Sequence, residues 1–504
     1  MDWQLIFLDM KLENYTVRTM NRFPDAGMTG RKRITTVVRE ITVDNVREVL
    51  EKALAVHAIN AREIAYLWDV YRGKQDIRNK KKYVRENINE KICVNIANEI
   101  VTFKTAYLLN EPIQYISNGE GEKASESIRK LNDFMRAEDK ESKDKEIVDW
   151  MHIAGVAERF VITDEMADEE YGSPYYVETY DPREAFVIYS ASMRKQPMAG
   201  VILQLDENEK WFATVYTDKK AFDVTVDKVT EHDHVLGGIP LIEYENNMAR
   251  MGAFEVVLSI LNGINNLESD ALDAIKDFVN GFDVFQNCTI DDGTYSSLAL
   301  GGKAVKVKTI TPGMEAKVYR VASELSQSGL QQRVDDLTEK YLTICGMPNR
   351  NGGSSTSDTG QAVIFRDGWS EAESRAKDTE KLFIRSERRF LRIVLNICDA
   401  KSPLGLTIKD VGINFQRKSL NNLQSRFQCL CEALANEKIH PESAFNAFGD
   451  MFGDKTLAYQ KGMEWYNKTK AEQEESLDKQ LELERQAIAN KKNPDEELED
   501  EDEE

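Results

Sequence analysis

Cysteine and histidine are scarce in this sequence, and neither is spaced as a metal site requires. The 504 residues include six cysteines and five histidines. No two cysteines form a C-x-x-C pair, and Cys429 and Cys431 would lie on different sides of a helix. The pattern therefore predicts buried free thiols in a reducing compartment, and it excludes a disulfide framework.

Long apolar runs are also missing. No window of about 18 apolar residues occurs, so no transmembrane helix is predicted and no membrane is expected as a partner. The N-terminus has no basic region, and Asp9 interrupts its apolar stretch. We therefore expect no secretory signal.

Catalytic motifs are absent as well. There is no G-x-S-x-G or H-E-x-x-H pattern, and the Gly/Ser-rich segment Gly352–Gly360 lacks the lysine of a Walker loop. The carboxylates of Asp164–Glu170 are interpreted as a solvated turn. His232 and His234 offer two metal ligands without a third, so a loop before Gly237 is the favoured interpretation. We predict no enzyme activity, no metal and no cofactor.

Positive charge is in deficit. The net charge is −21, of which residues 472–504 carry −11 and the remainder −10. A protein that wraps DNA would be basic. The run Lys80–Lys82 suggests a phosphate patch, but a solvated helix entrance is the favoured interpretation. If this protein meets nucleic acid, it does not grip it.

A long helical pattern is the strongest positive feature. From Phe365 to Ile397, apolar or small residues recur in alternating steps of four and three, which places them on one stripe of a helix. Pro403 ends the pattern. About 36 helical residues would span roughly 54 Å. The preceding segment Gly346–Gly360 consists almost wholly of turn and linker residues. We predict the spine of an elongated subunit, entered through a flexible loop.

The other elements predict an α+β, mainly helical fold. Short β-rich runs from Arg159 to Val226 indicate an antiparallel meander, and those from Phe282 to Arg320 indicate a small β insert between two helices. Residues 1–40 are expected to form an arm with little core, and the last thirty residues are expected to be disordered. Leu406–Phe415 is predicted to be a strand. The shorter predicted helices are Val46–His57, Ala61–Tyr71, Asn87–Leu109, Ser125–Trp150, Ala253–Asn280, Ser323–Cys345, Leu420–Glu437, Pro441–Phe448 and Thr456–Thr469.

Three stretches, Tyr107–Ile113, Tyr180–Tyr189 and Gly238–Asn247, together with the loop and the acidic C-terminus, carry a family resemblance. In this order they resemble the portal proteins of tailed double-stranded DNA bacteriophages, in particular the siphophage type from Gram-positive hosts. The resemblance covers roughly residues 45 to 504. It implies a ring of twelve copies around an axial channel at one capsid vertex. DNA would be pumped in through the channel by terminase and leave through it on infection.

The resemblance also implies a division of the chain and a set of partners. The partners are further copies of the chain, double-stranded DNA, terminase, a head–tail adaptor, and the major capsid and scaffolding proteins. The location is the virion, and the host cytoplasm during assembly. The implied parts are an N-terminal arm (1–44), wing (45–252), first stem helix (253–280), clip (281–322), second stem helix (323–345), tunnel loop (346–360), spine helix and wing strand (361–415), crown (416–475) and acidic disordered tail (476–504).

Two groups of site residues are predicted. Glycines free the loop backbone, and its hydroxyl groups can bind phosphate oxygens without reading sequence. An inert linker is the alternative. The expected loop contacts with DNA are Asn349, Arg350, Asn351, Gly352, Gly353, Ser354, Ser355, Thr356 and Ser357. The stem helices are not expected to bury their apolar stripes within one subunit. The expected subunit contacts are Phe254, Leu258, Leu261 and Ile275.

Two other classes of function remain open. A self-assembling scaffold or filament subunit without a DNA role would share the long helix and the acidic tail. A packaging ATPase would need the Walker motif that is missing here.

Overall fold

The structure is a computed structural model that describes residues 30–83, 86–118, 122–163, 172–205, 211–279, 282–289, 308–311, 313–315, 317–321, 327–349, 368–415, 423–436, 438–449 and 455–491. The chain divides into two compact units, Met1–Arg417 and Lys418–Glu504. No helix of the described residues is long and apolar enough to cross a membrane.

The described chain contains runs of helices and runs of strands. The helices are α1 Val46–Tyr71, α2 Ile96–Leu108, α3 Glu122–Ala137, α4 Lys140–Ala154, α5 Leu258–Val279, α6 Gln327–Cys345, α7 Trp369–Lys401, α8 Leu423–Ala435, α9 Pro441–Phe448 and α10 Lys455–Lys491. The strands are β1 Ile34–Thr36, β2 Gln114–Ser117, β3 Val156–Thr163, β4 Tyr175–Tyr180, β5 Ala185–Ser190, β6 Pro197–Leu205, β7 Trp211–Tyr216, β8 Lys220–Val224, β9 Val229–Asp233, β10 Leu241–Glu245, β11 Phe282–Gln286, β12 Cys288–Thr289, β13 Lys308–Thr309, β14 Lys317–Val321 and β15 Val411–Asn414.

The predicted meander is confirmed for β5 to β9, where each strand pairs antiparallel with the next. The full sheet has the order β1-β5-β6-β7-β8-β9. Its two faces follow the period of two in β5. Phe186 and Ile188 pack with residues of α1, while Val187 and Tyr189 pack with residues of β3 and β10. His232 lies in β9, so the loop interpretation of that residue is wrong.

The earlier β-rich runs belong to a different sheet, which corrects the prediction of a single meander. Strands β3 and β4 form a three-stranded sheet with β10, in the order β10-β3-β4. Strand β10 is fully buried, including Glu243 and Glu245, so its two faces do not differ in exposure. A further pair joins β2 to β15 across about 300 residues of chain. The predicted strand Leu406–Phe415 is thus shorter, Val411–Asn414.

Residues 30–41 are not an arm with little core. Strand β1 pairs parallel with β5, and Ile34 and Ile41 are buried. Arg31 is buried too, and its guanidinium binds Glu63 at 2.9 Å and Glu255 at 2.8 Å. The sequence pattern did not reveal the burial of Arg31, because a single arginine is normally interpreted as a surface residue. Residues 1–29 lie outside the described residues.

One helix replaces the two that were predicted between Val46 and Tyr71. The predicted break between His57 and Ala61 does not occur, and both His57 and Asn60 are buried in the helix. The Asn60 side chain exchanges two hydrogen bonds of 2.8 Å with the backbone of Lys32. The flank of β1 thus satisfies Asn60, and His57 Nε2 contacts Arg183 O, so the helix continues through both residues.

The predicted helix Ser125–Trp150 is instead two helices, α3 and α4. Asp139 has a φ of 48°, a left-handed conformation that ends one helix before the next begins. The preceding Glu138 accepts hydrogen bonds from Ser173 Oγ at 2.8 Å and Val177 N at 3.1 Å. These contacts with the sheet favour the break over a continuous helix.

Helix α7 confirms the predicted stripe from Trp369 onward. The 33-residue helix begins after Gly368, and its length corresponds to about 50 Å. Phe383, Phe390 and Ile397 on the stripe are buried in the largest hydrophobic cluster. The C-terminal half of the helix is therefore core. The predicted residues 361–367 lie outside the described residues.

The second unit contains α8, α9 and α10. The predicted bounds of α9 are confirmed, but α10 extends to Lys491, so the expectation of disorder from residue 476 is wrong for residues 476–491. Strong helix formers dominate this segment, and Lys479 pairs with Glu475 one turn earlier. Helical and disordered segments can both be rich in Glu, Gln and Lys, so composition alone did not distinguish a helix from disorder here. Residues 492–504 lie outside the described residues.

Cys93, Cys345, Cys398, Cys429 and Cys431 are free, as predicted. Cys345 and Cys398 are buried, whereas Cys429 and Cys431 are exposed, so the expectation of burial holds only in part.

Two buried histidines predict how stability changes with pH. His57 Nε2 lies 2.8 Å from Arg183 O, and burial lowers the pKa of His57 to about 4. Burial also lowers the pKa of His152 to about 3. An unfolded histidine has a pKa of about 6.5. Below that pH the unfolded chain therefore binds more protons than the folded chain. As the pH is lowered below about 6.5, the free energy of unfolding should therefore decrease by about 1.4 kcal/mol per pH unit for each histidine. The decrease should stop at the pKa that each histidine has in the folded protein.

Urea unfolding between about pH 7 and about pH 4 tests this slope. The double variant His57→Gln, His152→Gln should lose most of it, while the exposed His440→Gln should keep it. An unchanged slope in the double variant would rule out these histidines as the cause.

Candidate functional site at the α5/α6 helix pair

Helices α5 and α6 pack against each other. The N-terminal end of α5 and the C-terminal end of α6 lie in one hydrophobic cluster. Phe254 and Leu261 on one side, and Tyr341 and Cys345 on the other, are buried there. A Cβ added at Gly263 would lie 3.7 Å from Leu337 Cδ1, so α6 packs closely over this position of α5. The pair is therefore anchored at one end within the first unit.

Three polar side chains on one stripe of α5 bind the segment that precedes α2. Asn265, Ser269 and Asp273 follow one another at steps of four residues. Their oxygens accept the backbone N–H groups of Val94 at 2.8 Å, Ile92 at 3.0 Å and Glu90 at 2.7 Å. We call these three bonds the polar ladder.

The polar ladder depends on a match between two periods. Four residues of helix advance about 6 Å, and two residues of extended chain advance about 6.6 Å. Alternate N–H groups of the segment therefore meet successive turns of α5. The ladder also explains why the predicted helix Asn87–Leu109 begins only at Ile96. The spacing of Ile88, Ile92 and Ile96 by four imitated a helix.

Ion pairs strengthen the same contact. Lys80 lies 2.6 Å from Asp270, and Lys82 lies 2.5 Å from Asp273. Lys276 of α5 pairs with Glu90. Both earlier interpretations of Lys80–Lys82 are thus incomplete, because two of these lysines hold α5. The carboxylates of Asp270 and Asp273 on α5 are therefore partly neutralised by these lysines.

The predicted subunit contacts fall into two groups. Phe254 is 0% exposed and Leu261 is 1% exposed, so both are core residues of one chain. The premise that these stripes cannot be buried within a subunit is therefore wrong for Phe254 and Leu261. Leu258 is half-buried, while Ile275 is 42% exposed near the far end of α5. Leu272 is also exposed there.

The two roots of the predicted tunnel loop lie side by side. Gly346 has a φ of 65°, and a Cβ there would lie 2.6 Å from Arg375 Cδ. Arg375 Nη1 donates to Ile344 O at 3.1 Å, and its Nε donates to Glu371 at 2.8 Å. A Cβ at Gly368 would lie 3.9 Å from Pro348 Cα. Arg375 thus ties the end of α6 to the start of α7.

Of the loop residues predicted to contact DNA, the structure describes Asn349 alone, which is half-buried. Arg350, Asn351, Gly352, Gly353, Ser354, Ser355, Thr356 and Ser357 lie outside the described residues. On the α7 side, Trp369 packs against Phe103 and Tyr107 with ring centroids 6.1 Å apart in each case. These aromatic contacts hold the second root.

A buried charge network fixes α7 to the sheet. Arg159 binds Asp144 and lies 3.2 Å from Glu387, while Lys140 lies 2.6 Å from Asp144 and 2.9 Å from Glu387. Tyr115 and Tyr244 donate hydrogen bonds to Glu387. Burial alone would raise the pKa of Glu387. The charges of Lys140 and Arg159 and the tyrosine hydrogen bonds outweigh it and lower the pKa to about 2.

The contacts described above anchor α5, α6 and α7. No group of three or more metal-ligating side chains occurs in the described part of the chain. Sequence reasoning missed Asn265, Ser269, Asp273 and Arg375. The one available signal was the spacing by four of polar residues inside an otherwise apolar helix, which indicates a polar partner.

Comparison with known proteins gives one family. Residues 50–451 match the family described as "Phage portal protein, SPP1 Gp6-like". No curated protein matches the chain. Two solved structures are similar to it, titled "Neck of empty GTA particle computed with C6 symmetry" and "Virion of native gene transfer agent (GTA) particle". In each case identity is 8%, the TM-score is 0.42, and the match covers 70% of this chain and 89% of the other.

Proposed function

Because the chain belongs to the SPP1 Gp6-like family of phage portal proteins, we propose that it is the subunit of a ring of about twelve copies that conducts DNA into the capsid and out of it. The family is a structural one. The observation that carries the proposal is the family match over residues 50–451. We further propose that the phage is a siphophage of a Gram-positive host, with terminase and a head–tail adaptor as docking partners.

In this proposal the first unit supplies the wing, and the α5/α6 pair forms the stem beside the channel. The pattern of contacts supports this assignment, because the cluster around Phe254 and the polar ladder hold one side of α5 as far as Asp273, while Leu272 and Ile275 stay exposed. Exposed apolar residues at the end of a helix favour burial against another copy. The strands β11 to β14 would form the clip, and residues 416–475 the crown.

The loop between α6 and α7 would be the tunnel loop. The two ends of the loop lie close together and are linked through Arg375. The 19 residues 349–367 therefore connect two neighbouring points of the first unit. The hydroxyl groups of the loop would position DNA through phosphate contacts.

Ring formation is the direct test of the proposal. The purified chain should assemble into closed rings of about twelve copies with a channel wide enough for duplex DNA, because heterologous contacts that close on rotation form rings. Native mass spectrometry gives the copy number and electron microscopy the channel. Filaments or rings without a channel would favour a scaffold subunit, and a stable monomer at micromolar concentration in any salt would refute the proposal.

Deleting Gly352–Ser357 tests the tunnel loop. The roots at Gly346 and Gly368 are untouched by this deletion, so rings and terminase docking should be preserved. Phage assembled with the variant should package shorter DNA or retain less of it, measured by gel sizing of the encapsidated genome. A control that replaces Ser354, Ser355, Thr356 and Ser357 by alanine keeps the loop's length and removes its hydroxyl groups, so it separates the loss of phosphate contacts from the loss of length.

Normal genome length and retention after the deletion would identify the segment as an inert linker.

A further inference from the structure

An open cationic pocket lies beside α5. Its volume is about 830 Å³, and the short 3₁₀ helix Asp76–Asn79 forms one wall. Four cationic residues and one carboxylate line it, namely Arg78, Lys80, Lys81, Lys91 and Asp76. The amides Asn262 and Asn266 of α5 complete the lining. In a chain of net charge −21, such a concentration of positive charge is a local exception.

Some cations of this pocket already bind groups of the protein, and others do not. Lys80 is bound to Asp270, and Lys91 Nζ donates to Arg78 O at 2.9 Å. Arg78 and Lys81 are exposed, and the described part of the chain contains no ion pair for either side chain. Among the residues that line the pocket, Asp76 alone carries a negative charge to offset them.

The walls of the pocket are held in place by hydrogen bonds. Lys91 binds the carbonyl of Arg78, and Asn89 Nδ2 donates to Lys80 O at 3.0 Å. Tyr66 OH donates to Asp76 at 3.2 Å. The polar ladder fixes the neighbouring segment to α5. The shape is thus set by the fold before any ligand binds, which lowers the entropy cost of binding.

We propose that this pocket binds phosphate groups. A phosphate offers three or four acceptor oxygens at once, and Arg78, Lys81 and Lys91 supply charged donors spread around one volume, with amide groups on the α5 side. A single carboxylate would satisfy only two of these donors. The volume exceeds that of one phosphate ion, so it accommodates pyrophosphate or two adjacent phosphates of a DNA backbone.

The two phosphate sources have separate tests. Binding of free pyrophosphate does not depend on the portal role, whereas binding of duplex DNA at this pocket rests on the proposed function. Isothermal titration of the full-length protein in a phosphate-free buffer, with pyrophosphate in one arm and a short blunt duplex in the other, measures both affinities.

Matched variants assign the binding to the pocket. Arg78→Gln with Lys81→Gln should weaken the affinity at least about tenfold, because two charge-assisted contacts are lost. Asp76→Asn should strengthen it severalfold, because the one carboxylate of the pocket becomes neutral while Tyr66 keeps an acceptor. Arg388→Gln with Lys409→Gln removes the same charge elsewhere on the first unit and should leave pyrophosphate affinity within about twofold.

Opposite effects of the two pocket variants, with the control unchanged, would establish the site. Pyrophosphate binding alone would identify a site for free phosphates, and duplex binding lost with the pocket variant would add the DNA backbone. The inference is overturned if neither ligand binds, or if pocket and control variants weaken binding equally. Rings with an open channel that bind neither ligand would refute this pocket and leave the portal role standing.

Discussion

Replacing Arg159 by methionine is expected to lower the free energy of unfolding by about 3–5 kcal/mol. Arg159 is fully buried and balances Asp144 and Glu387, both of which are buried as well. Without the guanidinium, Lys140 would remain as the single cation against two carboxylates in a medium of low polarity. An uncompensated buried charge costs far more than the pair contributed.

The measurement is urea unfolding at fixed protein concentration, since assembly makes apparent stability depend on concentration. Arg388→Met removes an exposed arginine from α7 and should change the free energy by less than about 0.5 kcal/mol. Adding Glu387→Gln to Arg159→Met should recover part of the loss, because one negative charge goes with it. A loss below about 1 kcal/mol for Arg159→Met would mean that water reaches the network.

The second large effect concerns the polar ladder. Asn265→Leu removes the acceptor of the Val94 N–H group and the donor to Gln75 Oε1, at 2.8 Å and 2.5 Å. Two polar groups would lose their partners in a buried position, and each costs about 1–3 kcal/mol. We expect a loss of about 2–5 kcal/mol in unfolding free energy, and earlier hydrogen exchange of the Val94, Ile92 and Glu90 amides.

The neighbouring Asn266→Leu is the matched control, because Asn266 is exposed and makes no ladder bond. It should leave amide exchange at Val94 unchanged. If Asn265→Leu raised exchange at Val94 without affecting Ile92 and Glu90, the three bonds would be independent rather than cooperative.

Elements with a single repeated period were predictable from the sequence. The stripe of α7 and the alternation in β5 reflect burial of one face, which leaves a direct trace in residue order. The helix breaks at Asp139 and before Ile96 left no such trace. Both depend on side chains far away in sequence, such as Glu138 reaching Val177 and Asn265 reaching Val94.

The buried charges were unpredictable for a related reason. Arg31, Arg159 and Glu387 belong to residue types that are usually exposed. Burial of these side chains is favourable only when oppositely charged partners contact them in the folded protein. Those partners come from distant segments of the chain. At the candidate site, the spacing of apolar residues identified the paired helices, but Phe254 and Leu261, which were predicted as subunit contacts, are core residues of one chain.

The polar ladder has a mechanical consequence. A pull along the axis of α5 acts on the bonds of Asn265, Ser269 and Asp273 together, because all three lie across the direction of the force. Bonds loaded in parallel share the load and must break in one event, whereas bonds loaded in series open one after another. Helix α5 and the Glu90–Asn95 segment therefore resist sliding as a single unit. Any axial thrust on this helix passes directly to the segment that leads into α2.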